Sequence, residues 1–203
     1  MLKKNTNLKL YEKGLFFLSS GGIGEIGANC YLYCCDGKWI MIDLGLSFAD
    51  EQFPGVDLLV PKINFIEEIK DNLVAVIISH GHEDHAGALA YLADHIKCPV
   101  YSSSFAKLLI ENRLKEFGKL DSIKLIEFDS SKIISLDKFN IRFIDTTHSI
   151  PQPQAIVIET SYGNLLHTAD WKIDDKPTLG SNFSKNNFIE LGNEGVLALI
   201  GDS

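Results

Sequence analysis

The feature that most constrains this chain is Val74-Ala75-Val76-Ile77-Ile78, an apolar run that stops at Ser79-His80-Gly81-His82-Glu83-Asp84-His85. A continuous, mostly β-branched run reads as a strand buried on both faces. The histidines and acids then fall in the loop at its C-terminal end. Ala86-Gly87-Ala88-Leu89-Ala90-Tyr91-Leu92-Ala93 follows, and its composition predicts a helix from His85 to about Ile96. A loop seated between two rigid elements is a good mount for a metal. His80, His82, Asp84 and His85 bring four imidazole or carboxylate donors into six residues, a set that zinc and similar borderline cations accept. The pair at i and i+2 can turn toward one ion while Asp84 and His85 reach a neighbouring one, so the spacing suggests two metals. A lone histidine is more often structural or solvated; three with an aspartate directly after a strand ask for another explanation.

Ligand-type residues recur wherever a strand pattern stops. Phe139 to Ile144 leads into Asp145-Thr146-Thr147-His148-Ser149-Ile150-Pro151, and Asn164-Leu165-Leu166-His167 leads into Thr168-Ala169-Asp170. Recurrence at one sheet edge is how a site is assembled from distant sequence. Asp43 closes the strand Lys38 to Ile42, which Asp36-Gly37 joins as a hairpin to Asn29-Cys30-Tyr31-Leu32-Tyr33. It reads as a carboxylate that orients a ligating histidine. His167 lies inside a strand pattern and reads as structural or supporting. His95, near a helix C-terminus where a cation is favoured, is left outside the site.

The glycines of Gly21-Gly22-Ile23-Gly24-Glu25-Ile26-Gly27 invite a phosphate cradle, but a dinucleotide fingerprint needs a helix directly after them. A strand follows instead, so they read as a tight strand-to-strand loop near the site. Helices are expected over Asn64 to Lys70 and over Ser104 to Phe117, the latter closed by Gly118. Further strands are expected at Cys98 to Tyr101, Lys124 to Phe128 and Ala155 to Glu159, with loops over Phe48 to Pro61 and Lys176 to Asn182. The last, Gly195 to Ser203, reads as a buried strand. Strands alternating with helices place the chain in the α/β class.

At 203 residues one core and one domain suffice. The basic segment Met1 to Asn7 lacks the apolar region of a signal peptide, and no apolar run is long enough to span a bilayer. Cys30, Cys34, Cys35 and Cys98 show neither CxxC spacing nor disulfide density; they read as buried free thiols in a reducing, cytoplasmic setting. A formal charge of −8 argues against a chain that coats nucleic acid through a broad basic face. It does not bar a nucleic-acid enzyme, because metal ions reverse the local field inside a cleft.

These residues together resemble the metallo-β-lactamase fold, an αββα sandwich, and more narrowly the ribonuclease J proteins of the β-CASP nuclease group. His80-Gly81-His82-Glu83-Asp84-His85 is common to the whole superfamily. The narrower likeness rests on Gly21 to Gly27, Thr147-His148-Ser149-Ile150-Pro151, His167-Thr168-Ala169-Asp170-Trp171-Lys172 and the terminal Asp202-Ser203. The resemblance implies His80, His82 and His148 on one zinc, Asp84 and His85 on a second, and Asp170 bridging the two; manganese suits the same donors. Asp84 and Asp170 are thereby the catalytic carboxylates, with a metal-bound hydroxide as nucleophile. The implied reaction is hydrolysis of RNA, endonucleolytic or 5′-to-3′ exonucleolytic, in RNA processing and decay.

The resemblance also implies that residues 1–203 are the N-terminal part of a metallo-β-lactamase domain, incomplete because final strand and helix elements are absent. The β-CASP insertion, a further histidine for the second metal and a C-terminal oligomerisation domain are absent too; the full-length form is expected to be a homo-oligomer. Ala169 stands where glycine is usual, a change expected to matter little. Gln152-Pro153-Gln154 adds a proline expected to reshape the loop behind His148. Gly55-Val56-Asp57 resembles a Gly-x-Asp near a structural calcium in some relatives. Two other readings stay open: a metallo-β-lactamase-fold thioesterase or lactonase, and a non-catalytic RNA- or metal-binding module that holds one metal better than two.

Overall fold

The computed structural model describes residues 8–202; the basic segment Met1 to Asn7 and the terminal Ser203 lie outside the described residues. The first three strands are β1 (Leu15–Gly21), β2 (Cys30–Cys35) and β3 (Lys38–Ile42), followed by a short ribbon of β4 (Ser47–Phe48) and β5 (Leu58–Leu59). Next come α1 (Asn64–Ile69), β6 (Leu73–Ile77), α2 (Glu83–Ala86), α3 (Ala88–Leu92), β7 (Val100–Ser102), α4 (Ser104–Glu116) and β8 (Leu125–Glu127). The remainder is β9 (Ile134–Leu136), β10 (Phe139–Asp145), β11 (Gln154–Thr160), β12 (Gly163–His167), α5 (Lys185–Glu194) and β13 (Ala198–Ile200).

One sheet has the order β1-β2-β3-β6-β7-β8 and a second has β13-β12-β11-β10-β9. Side chains alternate across a strand, and the sequence uses that alternation to face two cores at once. Along β2, Cys30, Leu32 and Cys34 join α1, α3 and α4 in an outer core containing Ile66, Leu89 and Ile110. Tyr31, Tyr33 and Cys35 face the other way, onto Ile141, Phe143, Ile156 and Ile158 of the second sheet. Ile144, Ala155, Val157 and Leu166 then line the far side of that second sheet and meet Leu191 of α5. Three apolar layers between four structural layers give an αββα sandwich, as expected.

Asp36 and Gly37 both have positive φ, 46° and 82°, in the β2–β3 hairpin, the conformation that Asp-Gly favours there. All four cysteines are buried and unbridged, and no helix among the described residues is long and apolar enough to cross a membrane. Several expectations need correction. The single helix from His85 to Ile96 is three short pieces, α2, α3 and a 3-10 turn at Ala93–His95. Gly87 lies at the joint, where a Cβ would stand 2.4 Å from the Glu83 carbonyl oxygen and 2.7 Å from Leu46. Because α2 begins at Glu83, Asp84 and His85 sit on a helical turn and not in the loop. Helix α5 had no forewarning. The terminal strand is not buried: β13 runs parallel to β12 at the sheet's edge, leaving Leu197 and Leu199 about 60% exposed (59% and 63%), since no further strand or helix covers that face among the described residues.

Leu191 is the one buried residue of α5. Replacing it with alanine is expected to lower stability by about 2–4 kcal/mol in urea denaturation.

Candidate metal centre

Four strand ends deliver polar side chains to one rim. Asp43 follows β3, Ser79 and His80 follow β6, His148 follows β10, and Asp170 follows β12. Backbone hydrogen bonds lace these segments together: Gln154 N to Ser79 O (3.2 Å), Lys172 N to Thr147 O (2.7 Å), Leu44 N to His85 O (2.8 Å) and Asn29 N to Asp84 O (3.0 Å). Gly45 is obligatory in this lacing, because a Cβ there would lie 1.5 Å from the Asp84 carbonyl oxygen.

Five donors converge, and a sixth stands beside them. Ligand atoms of His80, His82 and His148 lie within 4.8 Å of one another, as do those of His80, His85 and Asp170. His80 thus belongs to both triplets. Asp84 stands just outside the second, half-exposed, with Oδ2 3.6 Å from His85 Nε2. The Asp170 carboxylate spans the two, 3.2 Å from His85 Nε2 through Oδ1 and 3.6 Å from His148 Nε2 through Oδ2. Of the remaining candidates, Asp57 belongs to no such triplet among the described residues. His95 pairs with Glu67 of α1 and belongs to neither triplet.

Behind the donors stands Asp43, fully buried. Its Oδ2 accepts from His85 Nδ1 (2.8 Å) and from Ser79 Oγ (2.8 Å), and its Oδ1 accepts from Ser79 N (2.8 Å). With its hydrogen committed to Asp43, Ser79 Oγ is left to accept from His80 Nδ1 at 3.0 Å. One carboxylate therefore fixes two tautomers, leaving Nε2 of both His80 and His85 facing the cluster. Sequence reasoning gave Asp43 its supporting place but missed Ser79.

It also missed Asn29, whose Nδ2 lies 3.0 Å from His85 Nε2 and 3.4 Å from Asp84 Oδ2, held by Tyr31 donating to Asn29 Oδ1 at 2.8 Å. A polar residue between the glycine turn and the buried strand was the available signal. His167 is buried, with Nδ1 2.8 Å from the Tyr33 hydroxyl and Nε2 without a partner. Burial pushes its pKa down to about 4, so it is a neutral, supporting group.

The electrostatics suit a cation. Burial, reinforced by the charge of His85, holds His80 far below the usual imidazole range, which keeps a lone pair on its Nε2. Burial also lowers His82, with His148 adding to it. For His85 burial works against charge, yet the carboxylates of Asp43 and Asp170 outweigh it and lift the imidazole to about 10. Burial likewise opposes charge on Asp170, but the hydrogen bond from His85 and the surrounding imidazoles hold the carboxyl well below its usual range. The neutral imidazoles of His80 and His82, the His85 ring whose front proton an ion would displace, and the Asp170 carboxylate between the two triplets are donors fit for one or two borderline divalent ions.

Ala169 corrects an expectation. Its φ of 48° lies in the left-handed region, where a Cβ costs about 1–2 kcal/mol, so alanine in place of glycine just before Asp170 is a strained choice. A cleft of about 310 Å³, lined by Asn29, Asp84, His85, Ala169, Asp170 and Asp202 among others, opens onto the second triplet. Gln152, just before the added Pro153, also has positive φ, 57°. Its Oε1 accepts from Phe105 N at 2.9 Å, pinning the loop behind His148 to the start of α4.

Known proteins share this chain's sequence pattern and fold. The profile described as the Metallo-beta-lactamase superfamily matches residues 23–182. Ribonuclease J of Sinorhizobium meliloti is 41% identical over 196 residues, 95% of this chain and 35% of that protein. Ribonuclease J2 of Bacillus subtilis is 32% identical over 203 residues, 100% of this chain and 36% of that protein. The chain thus spans about a third of the length of the curated relatives it matches. Among solved structures, the metallo-beta-lactamase fold protein YhfI of Bacillus subtilis superposes with a TM-score of 0.54 at 20% identity, over 78% of this chain and 64% of that one.

Two substitutions test the local geometry through thermal and urea unfolding. Ala169→Gly is expected to stabilise by up to about 1 kcal/mol, relief of strain less the entropy of glycine. Gly45→Ala is expected to destabilise by at least about 3 kcal/mol, since the clash is with backbone.

Proposed function

The chain belongs to the metallo-beta-lactamase superfamily, and from that premise we propose that it is a metal-dependent ribonuclease of the ribonuclease J type, hydrolysing phosphodiester bonds of RNA with two zinc ions. The observation that carries the hydrolytic part is the pair of donor triplets sharing His80. The choice of RNA rests on relatives named ribonuclease J, similar over nearly the whole chain. His80, His82 and His148 would hold the first ion; His85 and Asp84 the second; Asp170 would bridge. Bound there, paired divalent ions lower the pKa of a water and stabilise charge on the attacking and leaving oxygens.

The chain's own residues prepare that chemistry. Asp43 keeps protons on the rear nitrogens of His85 and, through Ser79, of His80, so the front nitrogens face the site; that of His80 is free to ligate and that of His85 would give up its proton to an ion. Asn29 and Tyr31 brace the cleft beside Asp84. The positive charge that RNA needs comes from the ions, since the chain itself carries −8. The four unbridged thiols support a reducing, cytoplasmic setting. A second reading, a thioesterase or lactonase on the same centre, has no observation of its own in its favour.

Three imidazoles are gathered for the first ion, whereas Asp84 stands aside from the second. Calorimetric titration with zinc should therefore show one tight and one weaker event, and His148→Ala should remove the tight one. Asp43→Asn tests tautomer control, because asparagine tolerates the left-handed φ of 61° at this position; zinc affinity should fall about 10–100-fold while the fold persists. For the reaction, a 5′-labelled RNA oligonucleotide incubated with the zinc-loaded chain should be cleaved, slowly, and not by Asp170→Asn. Thioester or lactone turnover without RNA cleavage would replace the proposal with the second reading.

A further inference from the structure

The glycine turn that leads into β2 is shaped around a single side chain. A Cβ on Gly22 would stand 2.4 Å from Asn29 Oδ1 and 2.4 Å from the Tyr31 hydroxyl, so any larger residue there would evict the amide. Gly22 also has a left-handed φ of 80°, which glycine adopts at little cost. The amide so accommodated belongs to a residue only 8% exposed. It stands in the wall of the cleft that also holds Asp84, His85 and Asp170.

Asn29 Nδ2, His85 Nε2 and Asp84 Oδ2 form a triangle with edges of 3.0, 3.4 and 3.6 Å. Donors about 2.0–2.2 Å from one zinc stand about 2.8–3.6 Å apart, according to coordination number. All three edges fit. Asp170 Oδ1, 3.2 Å from the same His85 nitrogen, fits as well. An amide ligates through its oxygen, and Tyr31 lets this one present it. The Tyr31 hydroxyl donates to Asn29 Oδ1 at 2.8 Å and also lies 3.2 Å from Gly22 O. Giving its hydrogen to Gly22 O instead, it accepts from Nδ2. A half-turn of the amide then sets Oδ1 toward His85 and Asp84 and leaves Nδ2 partnered. In the opposite orientation Nδ2 donates to Asp84 Oδ2 at 3.4 Å, so the amide is satisfied both ways.

We propose that Asn29 is a ligand of the second ion, its side-chain oxygen joining Asp84, His85 and Asp170, and that Gly22 and Tyr31 hold it in place. A neutral amide oxygen attracts a cation less than a carboxylate does, which gives a physical reason for the weaker of the two binding events expected of this centre. It also widens the metals the site accepts, since carbonyl and carboxylate oxygens suit manganese as well as zinc. The inference rests on the two-ion part of the proposed function and is independent of RNA as the substrate.

Calorimetric titration of the chain and two variants with zinc tests this, the first event, at His80, His82 and His148, reporting that each variant is folded. Asn29→Ala should weaken the second event about tenfold or more. Asn29→Asp separates a ligand from a mere hydrogen-bond donor, because the two roles predict opposite signs. A carboxylate keeps the bond from Tyr31 and adds charge to the donor set, so a ligating position should bind the second ion about tenfold or more tightly. A residue that only donates to Asp84 would, as an acid, repel it and weaken the event. In zinc-soaked crystals Asn29 Oδ1 should stand about 2.0–2.2 Å from the second ion. A second event unchanged in Asn29→Ala or not tightened in Asn29→Asp would overturn the proposal, as would a second ion more than about 3 Å from Asn29; in each case the two-ion reading stands. A wild-type chain that takes up a single zinc overturns both.

Discussion

The arrangement hangs on one buried carboxylate. Asp43 sits at the end of β3 with a left-handed φ of 61°, wholly removed from solvent, and accepts three hydrogen bonds from Ser79 and His85. A buried charge is costly unless it is paired and fully hydrogen-bonded; here the pairing is also the function. Through His85 directly and through Ser79 to His80, it turns two imidazoles so that their Nε2 atoms face a common space. Remove that carboxylate and the rim still holds histidines, but nothing decides which nitrogen of each is available.

The sandwich explains why residues so far apart in sequence meet. In the first sheet β3, β6 and β7 are parallel neighbours, so their C-terminal ends lie on one edge, where ligands gather in α/β architectures. The second sheet packs face to face with the first through Tyr33, Ile40, Ile77, Phe143 and Ile156, and this places the ends of β10 and β12 over the same edge. Backbone bonds between Thr147 and Lys172, and between Ser79 and Gln154, then hold the two sheets' rims in register. Asp43 and Asp170 favour positive charge on His85, the charge that a divalent ion would supply in its place.

Much of this was legible because it is written locally. The β-branched run ending at Ile78, the alternation of Cys30 to Cys35, the Asp36-Gly37 hairpin and the histidine spacing are all short-range patterns. What escaped depends on neighbours that no window of sequence contains. Whether the helix breaks at Gly87 depends on how near Leu46 comes. The strain at Ala169 depends on the turn that carries Asp170 over the rim, and the exposure of β13 on what the described residues pack beside it. Asn29 reads as an ordinary strand start until the fold sets it against His85. Helix α5 has a single buried residue, too little apolar periodicity to announce itself.

The central claim is that donors from three distant segments form one dinuclear centre. Anomalous X-ray diffraction from zinc-soaked crystals, recorded at the zinc edge, tests it most directly. The account predicts two neighbouring peaks, one among His80, His82 and His148 and the other beside His85 and Asp170. Zinc found elsewhere on the chain, with none bound among these residues, would contradict it.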